Sequence, residues 1–105
     1  MNNVILIGRL TKDPDVREYG KGKNAGKVAR YTLAVQRAGS KDEADFINCA
    51  VFGAGADFAE EYLEKGIKIG VKGEIRTGSY KNDEGKTIYT TEVIVNQHEF
   101  CEPKK

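Results

Sequence analysis

The stretch that most constrains the fold is residues 46–66, which read FINCAVFGAGADFAEEYLEKG. Its first seven residues alternate in a period of two, with Ile47, Cys49 and Val51 on one face, and this pattern predicts a β-strand. Two glycines end the strand, and apolar side chains then recur at helical spacing, which predicts a short helix over about residues 56–63. A lysine and a glycine follow as a typical helix stop. The stretch therefore predicts a strand that leads directly into a short helix.

The rest of the chain supplies four more predicted strands. Two precede the quoted stretch, over residues 3 to about 11 and 28–36, and two follow it, over residues 67–80 and 88 to about 100. Residues 12–27 are rich in turn residues, glycine and lysine, and are predicted to form a long connection. This order predicts one all-β domain over residues 1–105, a five-stranded OB-fold Greek-key barrel with one short helix between the third and fourth strands. It excludes a parallel α/β sheet, which needs repeated crossover helices.

Length and composition are those of a single soluble domain: 105 residues, of which 39% are hydrophobic and 31% charged. The formal net charge of +1 conceals an asymmetry. Residues 1–41 hold nine lysines and arginines against three acids, whereas residues 42–64 hold seven acids and no lysine or arginine. This balance argues against binding through bulk charge and leaves room for a local basic groove.

The sequence offers no catalytic constellation. His98 is the only histidine, so no Ser-His-Asp set can form without it. The Gly-x-Gly at residues 53–55 lacks the later glycine and the βαβ context of a dinucleotide site. The carboxylates within residues 57–64 have the spacing of a solvated helix face. We therefore predict that the protein is not an enzyme and takes no cofactor or small-molecule substrate.

The two cysteines, Cys49 and Cys101, are predicted to be reduced thiols. His98 and Cys101 share an H-x-x-C spacing, and Cys49 could in principle join them on a metal ion. A second close pair of ligands is lacking in the sequence, so no metal site is predicted.

The first predicted strand is apolar on both faces over Val4, Ile5, Leu6 and Ile7. Such a run suits a strand that is covered on both sides, as in a closed barrel or at a subunit interface. The run is too short for a signal-peptide core or a transmembrane span. We expect a cytoplasmic, nucleoid-associated protein with no membrane contact.

Two phenylalanines, Phe46 and Phe52, lie on the outward face of their strand if the alternate residues fill the barrel. Two interpretations are open. The rings pack under a loop or against another subunit, or they form a platform for nucleic-acid bases, which stack on aromatic rings with little sequence preference. Tyr80, near the tip of the last predicted hairpin, has little core to join and favours the platform.

Basic and polar residues accompany these rings in the sequence. Cations interleaved with aromatic side chains fit a groove that follows a nucleic-acid backbone. The predicted contacts other than the rings are Arg9, Arg30, Arg37, Lys41, Asn48, Arg76, Lys81 and Lys86.

Five segments follow one another along nearly the whole chain: residues 1–14 (MNNVILIGRLTKDP), 31–35 (YTLAV), 44–49 (ADFINC), 61–66 (EYLEKG) and 89–93 (YTTEV). Together they resemble the bacterial single-stranded-DNA-binding protein family. The resemblance implies sequence-independent binding of single-stranded DNA in replication, recombination or repair, with bases stacked at positions that match Phe46, Phe52 and Tyr80. It also implies a homotetramer, with a dimer as the alternative, and places the N-terminal strand in a subunit contact.

The chain departs from this family pattern in three respects. Family members often carry a further stacking aromatic after the second strand, where this chain has Gly39, Ser40 and Lys41, and tryptophan is absent. Replication-essential members end in a disordered stretch and an acidic tail that recruits repair and replication enzymes, whereas residues 102–105 read EPKK. Either the tail was removed or the chain is a tailless member, and tail-mediated partners are not predicted.

One rival function is that of an OB-fold adaptor or primosome-type protein whose main surface binds another protein. Phe46 and Phe52 would then be protein contacts. Binding to oligo-dT at low salt distinguishes the two functions, because hardly any binding would exclude DNA coating.

Overall fold

The computed structural model describes residues 1–20 and 25–101. Residues 21–24, within the predicted basic connection, and the chain end at residues 102–105 lie outside the described residues. In chain order the elements are β1 (Val4–Leu10), β2 (Asp15–Tyr19), β3 (Gly26–Gln36), β4 (Ala44–Phe52), α1 (Ala54–Tyr62), β5 (Lys68–Lys81) and β6 (Thr87–Phe100).

The strands form one sheet that closes on itself. Its order is β1-β5-β6-β4-β3-β2, and β1 also pairs with β3 at Arg9 and Leu10. Neighbouring strands are antiparallel except β4 and β6, which run parallel where Cys49 and Ala50 face β6. This closed sheet, with its short helix between β4 and β5, confirms the predicted OB-fold barrel.

The core of the barrel is filled by alternate residues of the strands, as the period-two patterns predicted. Leu33, Cys49 and Ile69 are the largest fully buried side chains. Ala56 and Ala59 of α1 belong to the same core, and their small side chains allow the helix to pack closely on the end of the barrel.

Helix α1 begins at Ala54, two residues before the predicted start. Gly53 immediately precedes it at a φ of 64°, a backbone conformation that favours glycine, so β4 ends there and the helix follows without a linker. No helix in residues 1–20 and 25–101 is long and apolar enough to cross a membrane.

Strand β2 is the main difference from the predicted architecture. The sequence predicts a connection over residues 12–27, but Asp15–Tyr19 pairs with β3 along its whole length, so the sheet has six strands instead of five. Its side chains are exposed apart from the partly buried Val16, which leaves almost no period-two signal. Pairing with the long β3 supplies the hydrogen bonds that hold this segment extended.

The paired strands β5 and β6 extend beyond the part of the sheet that pairs with other strands. A bulge interrupts their pairing between Lys72 and Gly73, where a Cβ on Gly73 would collide with the carbonyl of Ile94. The far part of the hairpin, residues 76–92, projects from the barrel and is called the arm below. Within the arm's turn, Asn82 accepts two backbone hydrogen bonds of 3.0 Å, which fix the tip.

Candidate nucleic-acid interface

Strand β4 has a core face and an outward face, as its alternation predicted. On the core face Cys49 and Val51 are buried, whereas Phe46 and Phe52 on the outward face are 67% and 41% exposed. The structure therefore confirms the predicted orientation of both rings.

Small neighbours leave Phe46 uncovered. Its cross-strand partner on β3 is Ala34, and Ala34 in turn pairs with Arg9 of β1. Aromatic ring contacts within residues 1–20 and 25–101 involve neither Phe46 nor Phe52. Burial of Phe46 under a loop of its own chain is excluded by its exposure.

Tyr80 lies on the same outward face of the sheet. Ala50 of β4 faces Ile94 of β6, and two-residue steps along β6 lead to Ile88, the partner of Tyr80 on β5. Tyr80 is 57% exposed on the arm. The register therefore brings all three predicted rings to one surface, called the outward face below.

Between the two phenylalanines, Asn48 and Ala50 form a low part of the outward face. Thr32 Oγ1 donates a hydrogen bond of 3.1 Å to Asn48 Oδ1, which orients the amide. Ala50 is fully buried in a small cluster with Val28 and Ile94. Since its side chain is a single methyl group, it does not separate the two rings sterically.

A groove of about 430 Å³ opens beside Asn48. Its lining includes Lys12 and Asp13 of the β1–β2 connection and Tyr89 and Thr90 of the arm. Tyr89 is 81% exposed and was not among the predicted contacts, although its place beside the exposed hairpin turn was a usable signal. The groove places polar groups beside the outward face. Tyr89 pairs with Ser79, so its ring points to the other face of the arm from Tyr80.

Two of the predicted cations lie on the outward face beside carboxylates. Arg30 Nε is 3.8 Å from a Glu92 oxygen, and Arg76 Nη2 is 3.7 Å from a Glu74 oxygen. Exposed ion pairs of this length contribute little to stability, so both guanidinium groups can exchange a carboxylate for a phosphate.

Arg37 is held within its own loop. Its guanidinium lies 2.9 Å from both Asp45 and Glu43. The hydrogen bond to Asp45 raises the pKa of Arg37, and the same bond lowers the pKa of Asp45. Because two carboxylates already neutralise this charge, the geometry gives no support to the predicted phosphate contact of Arg37.

The other predicted cations are exposed. Arg9 points outward beyond Ala34, and its Nη1 donates a 2.9 Å hydrogen bond to the carbonyl of Gly66. Lys41, Lys81 and Lys86 form no ion pair with the carboxylates of the described ranges. Their ammonium groups are therefore available to phosphates.

The buried titratable groups stabilise the fold and lie off the outward face. Burial, with a smaller contribution from Glu92, raises the pKa of the Cys49 thiol to about 12, so the thiol stays protonated. Burial also lowers the pKa of His98, whose Nε2 is 2.7 Å from Tyr31 Oη. In the part of the chain that the structure describes, no group of three potential metal ligands comes together.

The residues of the predicted subunit contact divide between the two faces of β1. Val4 and Leu6 are partly buried against the core of their own chain. Ile5 and Ile7 are exposed and point away from the barrel. The N-terminal strand thus has one face covered within the chain and one apolar face exposed.

The similarity to known proteins extends over nearly the whole chain. The model of the family described as "Single-strand binding protein family" matches residues 1–101. The chain belongs to this family. A single-stranded DNA-binding protein of Clostridium perfringens is 49% identical over 102 residues, which are 97% of this chain and 67% of that protein.

Two further relatives in the single-strand binding protein family give the same result. Single-stranded DNA-binding protein 1 of Staphylococcus aureus is 45% identical over 99% of this chain and 63% of its own length. The corresponding protein of Bacillus cereus is 45% identical over 99% of this chain and 62% of its own length. The chain thus spans somewhat under two thirds of these two relatives. The names of these relatives describe binding proteins, which agrees with the prediction of no enzymatic activity and does not favour the adaptor alternative.

Proposed function

We propose that the protein binds and protects single-stranded DNA without sequence preference, in replication, recombination or repair. The observation that supports this most is the convergence of Phe46, Phe52 and Tyr80 on one outward face, each exposed and, among the residues that the structure describes, without an aromatic partner. The family match and the names of the relatives support the choice of ligand.

The aromatic rings supply the main attraction for bases. Every base has a π-face, so a ring can stack on any of them, at about 1–3 kcal/mol for each base. Bases of a duplex are already stacked and paired, and these rings cannot reach them without opening it. Binding should therefore prefer single strands and tolerate any sequence.

The cations of the interface act on the phosphates. Arg9, Arg30 and Arg76 lie on the outward face, and the lysines of the arm and of the β3–β4 loop lie beside it. Each phosphate contact releases counterions, so affinity falls as salt rises. The carboxylates beside Arg30 and Arg76 limit the total attraction, which agrees with the near-neutral net charge.

The assembly and location are part of the proposal. The exposed apolar face of β1, at Ile5 and Ile7, supports a contact with a second copy of the chain. We infer a homotetramer in the cytoplasm, associated with the nucleoid. Light scattering tests the assembly, and a stable monomer would contradict it.

Titration with a fluorescently labelled oligo-dT at several salt concentrations tests the function. We expect tight binding at low salt, a linear fall of log affinity with log salt, and far weaker binding of a duplex of the same length. Hardly any binding of oligo-dT at low salt would overturn the proposal.

The variants Phe46→Ala and Tyr80→Ala test the role of the rings. Each is expected to weaken binding by about 1–3 kcal/mol without unfolding the domain. The control is Tyr62→Leu, a loss of an aromatic ring on α1, outside the outward face, which should leave affinity unchanged. A folded double variant of Phe46 and Tyr80 with wild-type affinity would refute these roles.

A further inference from the structure

The unpredicted strand β2 places a fourth aromatic ring on the outward face. Arg17 of β2 pairs with Val28 of β3, which pairs with Phe52 of β4. Tyr19 lies two residues beyond Arg17 and pairs with Gly26. Since cross-strand partners point to the same face of a sheet, Tyr19 shares the outward face with Phe52. Two strand spacings and a two-residue rise separate their Cα atoms by about 12 Å.

Gly26 allows the ring of Tyr19 to lie against the sheet. A Cβ built on Gly26 would come within 2.5 Å of both Cζ and Oη of Tyr19, so the hydroxyl end of the ring occupies the space of a missing side chain. Tyr19 is nevertheless 49% exposed. One side of the ring rests on the backbone of Gly26 and the other is open, which is the arrangement that stacking on a base requires.

The hairpin that carries Tyr19 is fastened to the barrel. Lys27, next to Gly26, places its Nζ 2.8 Å from Asp57 and 2.9 Å from Glu60 of α1. Hydrogen bonds to these carboxylates raise the pKa of Lys27, which therefore stays charged. Strand pairing and the contacts of Lys27 thus set the position of Tyr19 before any ligand binds, which lowers the entropy cost of using its ring.

We propose that Tyr19 is a fourth base-stacking residue, at the end of the outward face opposite Tyr80. The inference rests on the proposed function and extends it, because a single strand that crosses Tyr80 and Phe52 continues onto the β2–β3 hairpin. Arg17 is the next outward residue of β2, and its exposed 3.4 Å pair with Asp15 is readily exchanged for a phosphate.

A series of three variants tests the role of the ring by titration with oligo-dT of increasing length. Tyr19→Leu, which removes the π-face, is expected to weaken binding of long oligo-dT by a factor of about 5 to 150. Its effect should shrink on oligonucleotides too short to reach the hairpin. Tyr19→Phe keeps the ring and should retain most of the affinity. Gly26→Ala keeps the tyrosine but displaces its ring, and should weaken binding in the same direction as Tyr19→Leu.

Photo-cross-linking to oligo-dT that contains 5-iodouracil provides a direct readout on the unaltered chain. We expect an adduct on Tyr19 by mass spectrometry, besides adducts on Phe46, Phe52 and Tyr80. The inference is overturned if adducts form only on those three rings and Tyr19→Leu binds long oligo-dT like the wild type. Failure of the wild-type chain to bind oligo-dT at all is a different result, since it overturns the proposed function itself. If Tyr19→Leu does not fold, Gly26→Ala and the cross-link decide.

Discussion

The chain uses aromatic side chains in two regions that differ in their neighbours. At the end of the barrel under α1, the rings contact one another: Phe58 stacks on His98 with centroids 5.1 Å apart, and His98 Nε2 lies 2.7 Å from Tyr31 Oη. On the outward face, Phe46 and Tyr80 have no ring contact within the described ranges. The rings under α1 contact one another, whereas the outward rings are open to the bases that the proposed function requires.

The size of the adjacent residues explains the difference. Ala34 beside Phe46 and Gly26 beneath Tyr19 leave one side of each ring open. Around Phe58, by contrast, the neighbouring rings of Tyr62, His98 and others fill the space. Small neighbours therefore leave the outward rings accessible, whereas the rings around Phe58 cover one another.

The largest expected effects come from removing one ring in each region and comparing the losses of stability and of DNA binding. Phe58→Ala should lower the free energy of unfolding by about 3 kcal/mol, because it empties the space between α1 and the barrel. The affinity of the remaining folded protein for oligo-dT should not change. Phe46→Ala should change the free energy of unfolding by less than about 0.5 kcal/mol. It should weaken the binding of oligo-dT as proposed above.

Urea unfolding at a fixed protein concentration, followed by oligo-dT titration, measures both quantities for each variant. The comparison between the two regions fails if Phe46→Ala destabilises the fold as much as Phe58→Ala does. It also fails if Phe58→Ala weakens binding in protein that is demonstrably folded.

The hydrogen bond between Tyr31 and His98, in the ring cluster under α1, predicts the next largest effect. Tyr31→Phe removes the hydroxyl and leaves a partly buried nitrogen of His98 without its partner, so the free energy of unfolding should fall by about 1 kcal/mol. The matched control is Tyr89→Phe, which removes a hydroxyl from an exposed ring and should leave the free energy of unfolding unchanged. Equal effects of the two changes would contradict the role given to the bond.

The burial of His98 predicts a pH dependence of stability. Its pKa in the folded chain lies below the ordinary value of about 6.5, so across that interval the unfolded chain binds more protons. Stability should therefore decline as pH falls from about 7 towards 5. His98 is the only histidine, so the variant His98→Gln should lose this decline. Urea unfolding at several pH values measures it, and an unchanged slope in the variant would assign the effect to another group.

The smallest expected effect is on the salt dependence of DNA binding, and it separates Arg37, which is paired with carboxylates, from the exposed Lys81. Arg37→Gln should hardly alter the salt dependence of DNA binding, because Asp45 and Glu43 already neutralise the guanidinium. Lys81→Gln should reduce the slope of log affinity against log salt by about one. Titrations over a series of salt concentrations compare the two. A larger change for Arg37→Gln would mean that the loop opens when DNA binds.

Much of the fold could be predicted because long strands carry strong periodic patterns. The alternation in β3 and β4 and the helical spacing in α1 fix both the barrel and the outward position of Phe46. Strand β2 could not be predicted in this way. It has five residues, turn residues and glycines surround it, and its extended form depends on pairing with β3.

The candidate site could be predicted where it depends on which face of a strand a residue occupies. It could not be predicted where it depends on contacts between separate segments of the chain. The outward rings follow from alternation. The pairing of Arg37 with Asp45 and the contact of Tyr19 with Gly26 require the path of the chain in three dimensions. The sequence alone therefore does not show that Arg37 is paired with carboxylates, and it predicts a connection where β2 presents the ring of Tyr19.

The division of β4 into a core face and an outward face also limits which substitutions this strand can accept. Burial restrains substitutions at Cys49 and Val51 through folding, and under the proposed function substitutions at Phe46 and Phe52 are restrained through DNA binding. In a library that randomises this strand, selection for folding alone should enrich one set of positions and selection for DNA binding should add the other. Few neutral positions would remain, and this segment should accumulate changes more slowly than the β3–β4 loop beside it.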